Sequence, residues 1–252
     1  LENFQTKAIY RCNGNGESQN IQNIIAIITA RGGSKGVLRK NIRRVFGHPL
    51  IYYTIDAALQ CKYISKCYVS TDDDEIRTIS RELGATTIDR PSYLASDGAL
   101  SRDVVRHTLE FIKDKKLDIP SHFVLLQPTS PLRDSRHLTQ CIEEFACKQA
   151  NSAVSITECE HHPYKCLEFD SDGNAKPIKN WSDLERPRQS LPKAYRPNGA
   201  IYLSSSDAFL RNNTFFIPPI HFFMMTSEDS IDIDVEEDLH IVEEIMRKRI
   251  NR

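Results

Sequence analysis

Between Ala30 and Asn41 the chain gathers Arg31, Lys35, Arg39 and Lys40 around Gly32, Gly33 and Gly36. Glycine lets successive backbone N–H groups converge on one anion, and the cations supply charge that a neutral ligand would not need. The stretch therefore reads as a polyphosphate cradle. It matches neither G-x-G-x-x-G nor G-x-x-x-x-G-K-[ST], which removes two common nucleotide loops. A second constellation is Ser230-Ile231-Asp232-Ile233-Asp234-Val235. Read as a strand, where side chains alternate, it puts Asp232 and Asp234 on one face and the aliphatic residues on the other. Two carboxylates so close repel unless a cation lies between them, and Mg²⁺ is held by one or two carboxylates plus substrate phosphates. A solvated face on an edge strand is the competing reading.

Further along, Leu125-Leu126-Gln127-Pro128-Thr129-Ser130-Pro131 turns an apolar run into a proline-stiffened loop, where Gln127 can make two opposed hydrogen bonds to a sugar diol or a base edge. A stiff turn with a capping hydroxyl fits the same residues. The turn Ser70-Thr71-Asp72-Asp73-Asp74-Glu75 reads first as a helix N-cap. Basic groups recur at Lys165, Arg186, Arg188 and Arg196, suited to a second anionic substrate such as a carboxylate. His161 and His162 lack a third ligand at useful spacing and read as packing or substrate contacts. No Ser-His-Asp or Cys-His set with interpretable spacing is present, so covalent catalysis is not indicated.

These residues need a scaffold that brings loops together at one edge. From Ile24 the pattern alternates: strand 24–29, helix 49–60, strand 66–71, helix 73–83, strand 85–88, helix 101–115, strand 122–127, helix 135–148, strand 152–157. That rhythm implies βαβ units, hence an α/β, Rossmann-like, mostly parallel sheet with helices on both faces and ligands beyond the strands' carboxyl ends. Between 161 and 197 the rhythm breaks around a hairpin turned at Asp170-Ser171-Asp172-Gly173-Asn174, which marks an inserted subdomain. It resumes with strand 200–203, helix 205–211, strands 221–225 and 231–235 and helix 236–250, opened by an Asp234-x-x-Glu237 capping pattern. The expected division is a tail over 1–22, a core over 23–160 and 198–252, and the insert over 161–197.

The chain has 252 residues, 40% of them hydrophobic, enough for one substantial core with a small satellite, and a formal net charge of −1. Neither nucleic acid nor a membrane surface is expected as a partner. The seven cysteines form no C-x-x-C pair and read as free buried or half-buried thiols. The chain starts at Leu1, and sequons stand at Asn180-Trp181-Ser182 and Asn212-Asn213-Thr214. These features permit a secretory lumen.

The stretches IIAIITARGGSKGVLRKN, VSTDDDEI, RPSYLASD, LLQPTSPLR, EHHPYK, SDLERPRQSLPKAYRPNGAIY and SIDIDVEEDL together resemble the CMP-sialic acid synthetases (N-acylneuraminate cytidylyltransferases), relatives of the CMP-KDO synthetases. The resemblance runs from Ile24 to Ile250 and implies transfer of CMP from CTP to the anomeric hydroxyl of N-acetylneuraminate, with release of pyrophosphate. Alternatives are another acceptor (legionaminic, pseudaminic or KDO) or a non-catalytic nucleotide-sugar binder. It implies that Arg31, Ser34, Lys40 and Asn41 surround CTP, with Arg31, Lys40 and Asp234 catalytic. Arg90 and Ala99 would contact the nucleotide, and Gln127 and Asn198 the acceptor sugar. Asp232 and Asp234 would bind Mg²⁺, and Arg196 would lie beside the sugar. The insert would build a homodimer with shared active sites, Lys165 and Arg188 binding the sialic acid carboxylate in the partner's site. One departure is Val37-Leu38, where family members commonly carry a proline. With the Leu1 start and the two sequons, the resemblance implies the Golgi lumen as the expected compartment, with the cytoplasm as the alternative.

Overall fold

A computed structural model describes residues 23–34, 36–115 and 120–251; the expected tail and Lys35 lie outside the described residues. In chain order the strands are β1 (Ile24–Thr29), β2 (Arg44–Val45), β3 (His48–Pro49), β4 (Ile64–Thr71), β5 (Thr86–Asp89), β6 (His122–Leu126), β7 (Ser152–Glu158), β8 (Leu167–Phe169), β9 (Ala175–Pro177), β10 (Tyr195–Ser205) and β11 (Ile220–Met224). The helices are α1 (Leu50–Gln60), α2 (Asp74–Glu82), α3 (Ser101–Asp114), α4 (Ser135–Cys147), α5 (Trp181–Glu185), α6 (Ser206–Asn212) and α7 (Glu236–Ile250).

β1 is an unbroken aliphatic run, which only burial on both faces accommodates. It lies inside a seven-stranded sheet of order β11-β7-β10-β6-β1-β4-β5. β1, β4, β5 and β6 are parallel; β10 runs antiparallel to both β6 and β7, and β11 is parallel to β7. Ile24, Ala26 and Ile28 pack with Ile51 and Ile55 of α1, Ile76 of α2 and Phe145 of α4 on one face. Ile25 and Ile27 meet Val105 and Leu109 of α3 and Phe209 of α6 on the other. A third cluster stands at the ligand edge. Val37, Leu50, Leu132 and Ile233 pack on Leu239 and Val242 of α7, drawing three separate loops onto one helix.

The short β8–β9 hairpin is closed by Asp170, whose carboxylate accepts the N–H groups of Asp172 and Asn174. The Asp73 carboxylate accepts from Glu75 N and Ile76 N and caps α2, as the sequence pattern requires. Residues 231–235, by contrast, form no strand. They are extended and attach to the Gln127 loop by the Ile233 N–H to Thr129 O hydrogen bond of 2.8 Å. The expected cap also differs: Asp238 reaches back to Asp234 N and Val235 N at 2.8 and 2.9 Å, which leaves the Asp234 carboxylate free of capping duty. Cys61, Cys67 and Cys141 are buried free thiols and Cys159 and Cys166 half-buried ones, whereas Cys147 is disulfide-bonded, contrary to the expectation of free thiols throughout.

Candidate active site

The loop after β1 is shaped by contacts that its sequence can make with itself. Ser34 Oγ donates to Val37 O and accepts the Lys40 backbone N–H at 3.1 Å, while Asn41 Nδ2 donates to Arg31 O at 2.9 Å. At Gly36 the chain touches the carboxylate segment: a Cβ there would stand 2.0 Å from Asp234 O. Only glycine permits that approach. Arg39, in the left-handed region with φ 54°, turns away and pairs with Asp73 and Glu75 at the start of α2. It leaves Lys40 pointing inward.

Lys40 Nζ donates to Ile233 O at 2.6 Å and to Asp234 Oδ1 at 3.1 Å. Arg31 pairs with Asp97 at 2.7 Å. Arg90 is buried and donates to Ser70 O at 2.6 Å. Burial lowers its pKa to about 10, opposed by the nearby Asp72 carboxylate, so it stays cationic at neutral pH. Asp232 is half-buried, and its Oδ1 has no hydrogen-bond partner. Burial raises its pKa; a hydrogen bond from Thr129 opposes this, Asp234 adds to it, and Lys40 and Arg196 counter it. Gln127 finds room because Gly199, at φ +81°, has no side chain: a Cβ would lie 2.7 Å from Gln127 Oε1.

Arg31, Ser34, Lys40, Asn41, Arg90, Ala99, Gln127, Asp232 and Asp234 thus line one open cleft of 310 Å³ at the carboxyl ends of β1, β5 and β6. Cations, two carboxylates and hydrogen-bonding groups meet there, an arrangement able to hold an anionic nucleotide. Among the described residues no group of three or more His, Cys, Asp or Glu could hold a metal by itself. A two-carboxylate site is the kind that Mg²⁺ occupies when substrate oxygens and water complete its shell, and the unpartnered Asp232 Oδ1 fits it.

The cytidylyltransferase family profile matches residues 25–247. The chain belongs to the cytidylyltransferase family. It is 36% identical over 221 residues to the N-acylneuraminate cytidylyltransferase of Streptococcus agalactiae serotype V, covering 86% of this chain and 52% of that protein. The chain thus spans about half the length of the first such relatives. It is 34% identical over 227 residues to the CMP-N,N'-diacetyllegionaminic acid synthase of Legionella pneumophila, covering 88% of this chain and 96% of the relative. Its fold is similar to the solved structure of CMP:2-keto-3-deoxy-manno-octonic acid synthetase complexed with CTP, with TM-score 0.67 and 16% identity over 90% of this chain and 100% of the other.

In this cytidylyltransferase four expected site residues stand outside the cleft lining. Lys165 Nζ donates to Leu184 O at 2.8 Å within the 161–197 region, and Arg188 Nη2 to Cys159 O at 2.8 Å just before it. Arg196 is exposed on β10, close enough to Asp232 to act on its titration. Asn198 is buried in an irregular stretch of β10, where the register with β7 shifts between Pro197 and Tyr202. Conversely, Asp97, Ser101 and Thr129 line the cleft without having been singled out. Asp97 lies between Arg90 and Ala99, both named, so the signal for it was present in RPSYLASD; it is a carboxylate in a reading that sought cations.

Proposed function

We propose that this chain transfers CMP from CTP to the anomeric hydroxyl of N-acetylneuraminate and releases pyrophosphate, using Mg²⁺ held by Asp232 and Asp234. The observation that carries the reading is one cleft in which Arg31, Lys40 and Arg90 share the lining with a carboxylate pair, one oxygen of which is buried and unpartnered. Arg31 and Lys40 bind the phosphates and stabilise charge that builds on them as the hydroxyl oxygen bonds to the α-phosphorus and loses its proton to water, and the bond to pyrophosphate breaks. Ser34, Asn41, Arg90 and Ala99 orient the nucleotide, and Gln127 orients the acceptor. When bound, Mg²⁺ supplies further neutralising charge at the phosphates. Positioning and electrostatics account for most of such a transfer, so a dedicated general base is not required.

The chain is 34% identical to the legionaminic acid relative and 32% identical to a pseudaminic acid cytidylyltransferase of Campylobacter jejuni, close to the 36% of the N-acylneuraminate relative, which supports a second reading of the acceptor as legionaminic or pseudaminic acid. Pyrophosphate release measured with CTP, Mg²⁺ and a panel of these acids separates the two. Release with the N-acylneuraminate acceptor is the expected result. CTP binding without release with any acid would instead identify a nucleotide-sugar binder.

We also propose a homodimer built by the 161–197 insert, with Lys165 and Arg188 serving the partner's cleft. Support comes from their absence from their own cleft lining and from the exposed apolar side chains of Leu167, Phe169, Ile178 and Trp181 in the same region. An active monomer in sedimentation would overturn it. For the Golgi lumen the support is that Asn180 and Asn212 are exposed at their sequons. The check is a glycosidase-sensitive mass shift of the full-length protein made in secretory cells; its absence favours the cytoplasm.

A further inference from the structure

We infer that Asn198 is a positioning residue for the carboxylate pair, acting through Ser230, and is not a contact to the acceptor sugar; the inference rests on the reading of Asp232 and Asp234 as divalent-cation ligands. A primary amide has two N–H donors and an oxygen with two lone pairs. In Asn198 all four positions are used inside the protein. Nδ2 donates to Ser230 Oγ at 2.8 Å and to Met225 Sδ at 3.3 Å. Oδ1 accepts from Ser155 Oγ at 2.5 Å and from the Ala200 backbone N–H at 3.1 Å. Because a backbone N–H can only donate, the last bond settles which end of the amide is oxygen. The residue is 2% exposed, so it has neither surface nor an unused hydrogen-bonding position to offer a ligand.

What the amide holds is the turn that launches Asp232. Ser230 Oγ in turn donates to Thr226 O at 2.6 Å. Thr226 Oγ1 donates to Asp229 Oδ2 at 2.7 Å, and Arg249 of α7 grips Asp229 Oδ1 at 2.7 Å. A polar chain therefore runs from Ser155 in β7, through the irregular part of β10, to the 226–230 turn and α7. Beyond Ser230 the chain belongs to no sheet, so the Asp232 and Asp234 carboxylates are located by the anchor of Ile233 on Thr129 O between them and by how the two ends of a short extended segment are held. Asp238 and Lys40 hold the far end. Asn198 holds the near end. Groups that orient metal ligands in this indirect way typically account for about 10- to 100-fold in metal affinity.

The test uses Ser230→Ala and Asn198→Ala in the full chain, with Mn²⁺ binding in the presence of CTP read by electron paramagnetic resonance well below the melting temperature. CTP affinity in EDTA and the acceptor KM at saturating Mn²⁺ are read in parallel. Ser230→Ala is expected to weaken Mn²⁺ by about tenfold while leaving metal-free CTP affinity and acceptor KM within about twofold, and Ser230→Thr to restore binding. Unchanged Mn²⁺ affinity in Ser230→Ala overturns the inference, as does an Asn198→Ala protein whose only change is a raised acceptor KM. Should Asn198→Ala fail to fold, Ser230→Ala decides, because it leaves the amide in place. A parent protein that takes up no Mn²⁺ with CTP overturns the assignment of the carboxylate pair itself, a different failure from parent binding that the variants leave untouched.

Discussion

A buried carboxylate oxygen without a donor costs about 1–3 kcal/mol, and Asp232 Oδ1 is such an atom. Asp232→Asn keeps the shape and removes the charge. The variant is expected to melt a few degrees above the parent in EDTA and to lose pyrophosphate release, a trade of activity for stability. Thermal melts of both proteins in EDTA check this; a variant melting below its parent would show that the carboxylate is already compensated. The cleft cations were readable from sequence because lysine and arginine among glycines, directly after an aliphatic run, have few uses other than anion binding. Asn198 was not readable in the same way. The family resemblance implies a place beside the acceptor sugar, but only the shifted β10 register shows its amide turned inward to Ser155 and Ser230.

Between elements, the decisive contact is backbone against backbone: the phosphate loop at Gly36 and the carboxylate segment at Asp234 touch where any Cβ would collide. Gly36→Ala must push the two apart. A stability loss of roughly 1–3 kcal/mol is expected, as for overpacking elsewhere, together with weaker Mg²⁺ activation, because Lys40 and Asp234 separate. Denaturant melts and Mg²⁺ titrations of activity measure both. The alternation of strands and helices was legible from periodicity alone, since β1 and β6 are mostly apolar runs and α2, α3 and α4 carry apolar stripes. Residues 231–235 misled that reading. Alternation there reflects Ile233 buried against α7 and the carboxylates turned to the cleft, a pattern that any extended segment on a core edge produces without a ladder partner. β10 begins earlier than expected, at Tyr195, because Pro197 disguises the start of a strand whose first residues still pair with β7.

For the molecule as a whole, acid sensitivity has two windows. His122 opens β6 against Phe145, and burial lowers its pKa to about 4 from an ordinary 6.5. A depressed histidine is neutral in the folded chain while the unfolded chain takes up its proton. Stability is therefore lost as pH falls from 6.5 toward 4, by roughly 3 kcal/mol. Below that, Asp134 and Asp229 take over. Burial would raise both, but hydrogen bonds from His137 and Arg136 to Asp134, and from Thr226 and Arg249 to Asp229, outweigh it and hold them below their ordinary value. Their contribution is complete above the carboxylate range and disappears as pH falls through their lowered pKa values. His122→Gln should flatten the upper window and leave the lower one, as followed by urea unfolding between pH 7 and 4. The pairing of Arg31 with Asp97 and of Lys40 with Asp234 has a consequence for what can enter the cleft. Arg31, Lys40 and Arg90 are matched by Asp97, Asp232 and Asp234, so the described lining is formally neutral. A bare triphosphate that binds Arg31 and Lys40 must displace Asp97 and Asp234 from them; one that arrives already chelated to a divalent ion brings those carboxylates a cation in exchange. Admission of a phosphate ester to the ligand-free cleft is thus an exchange of counter-ions.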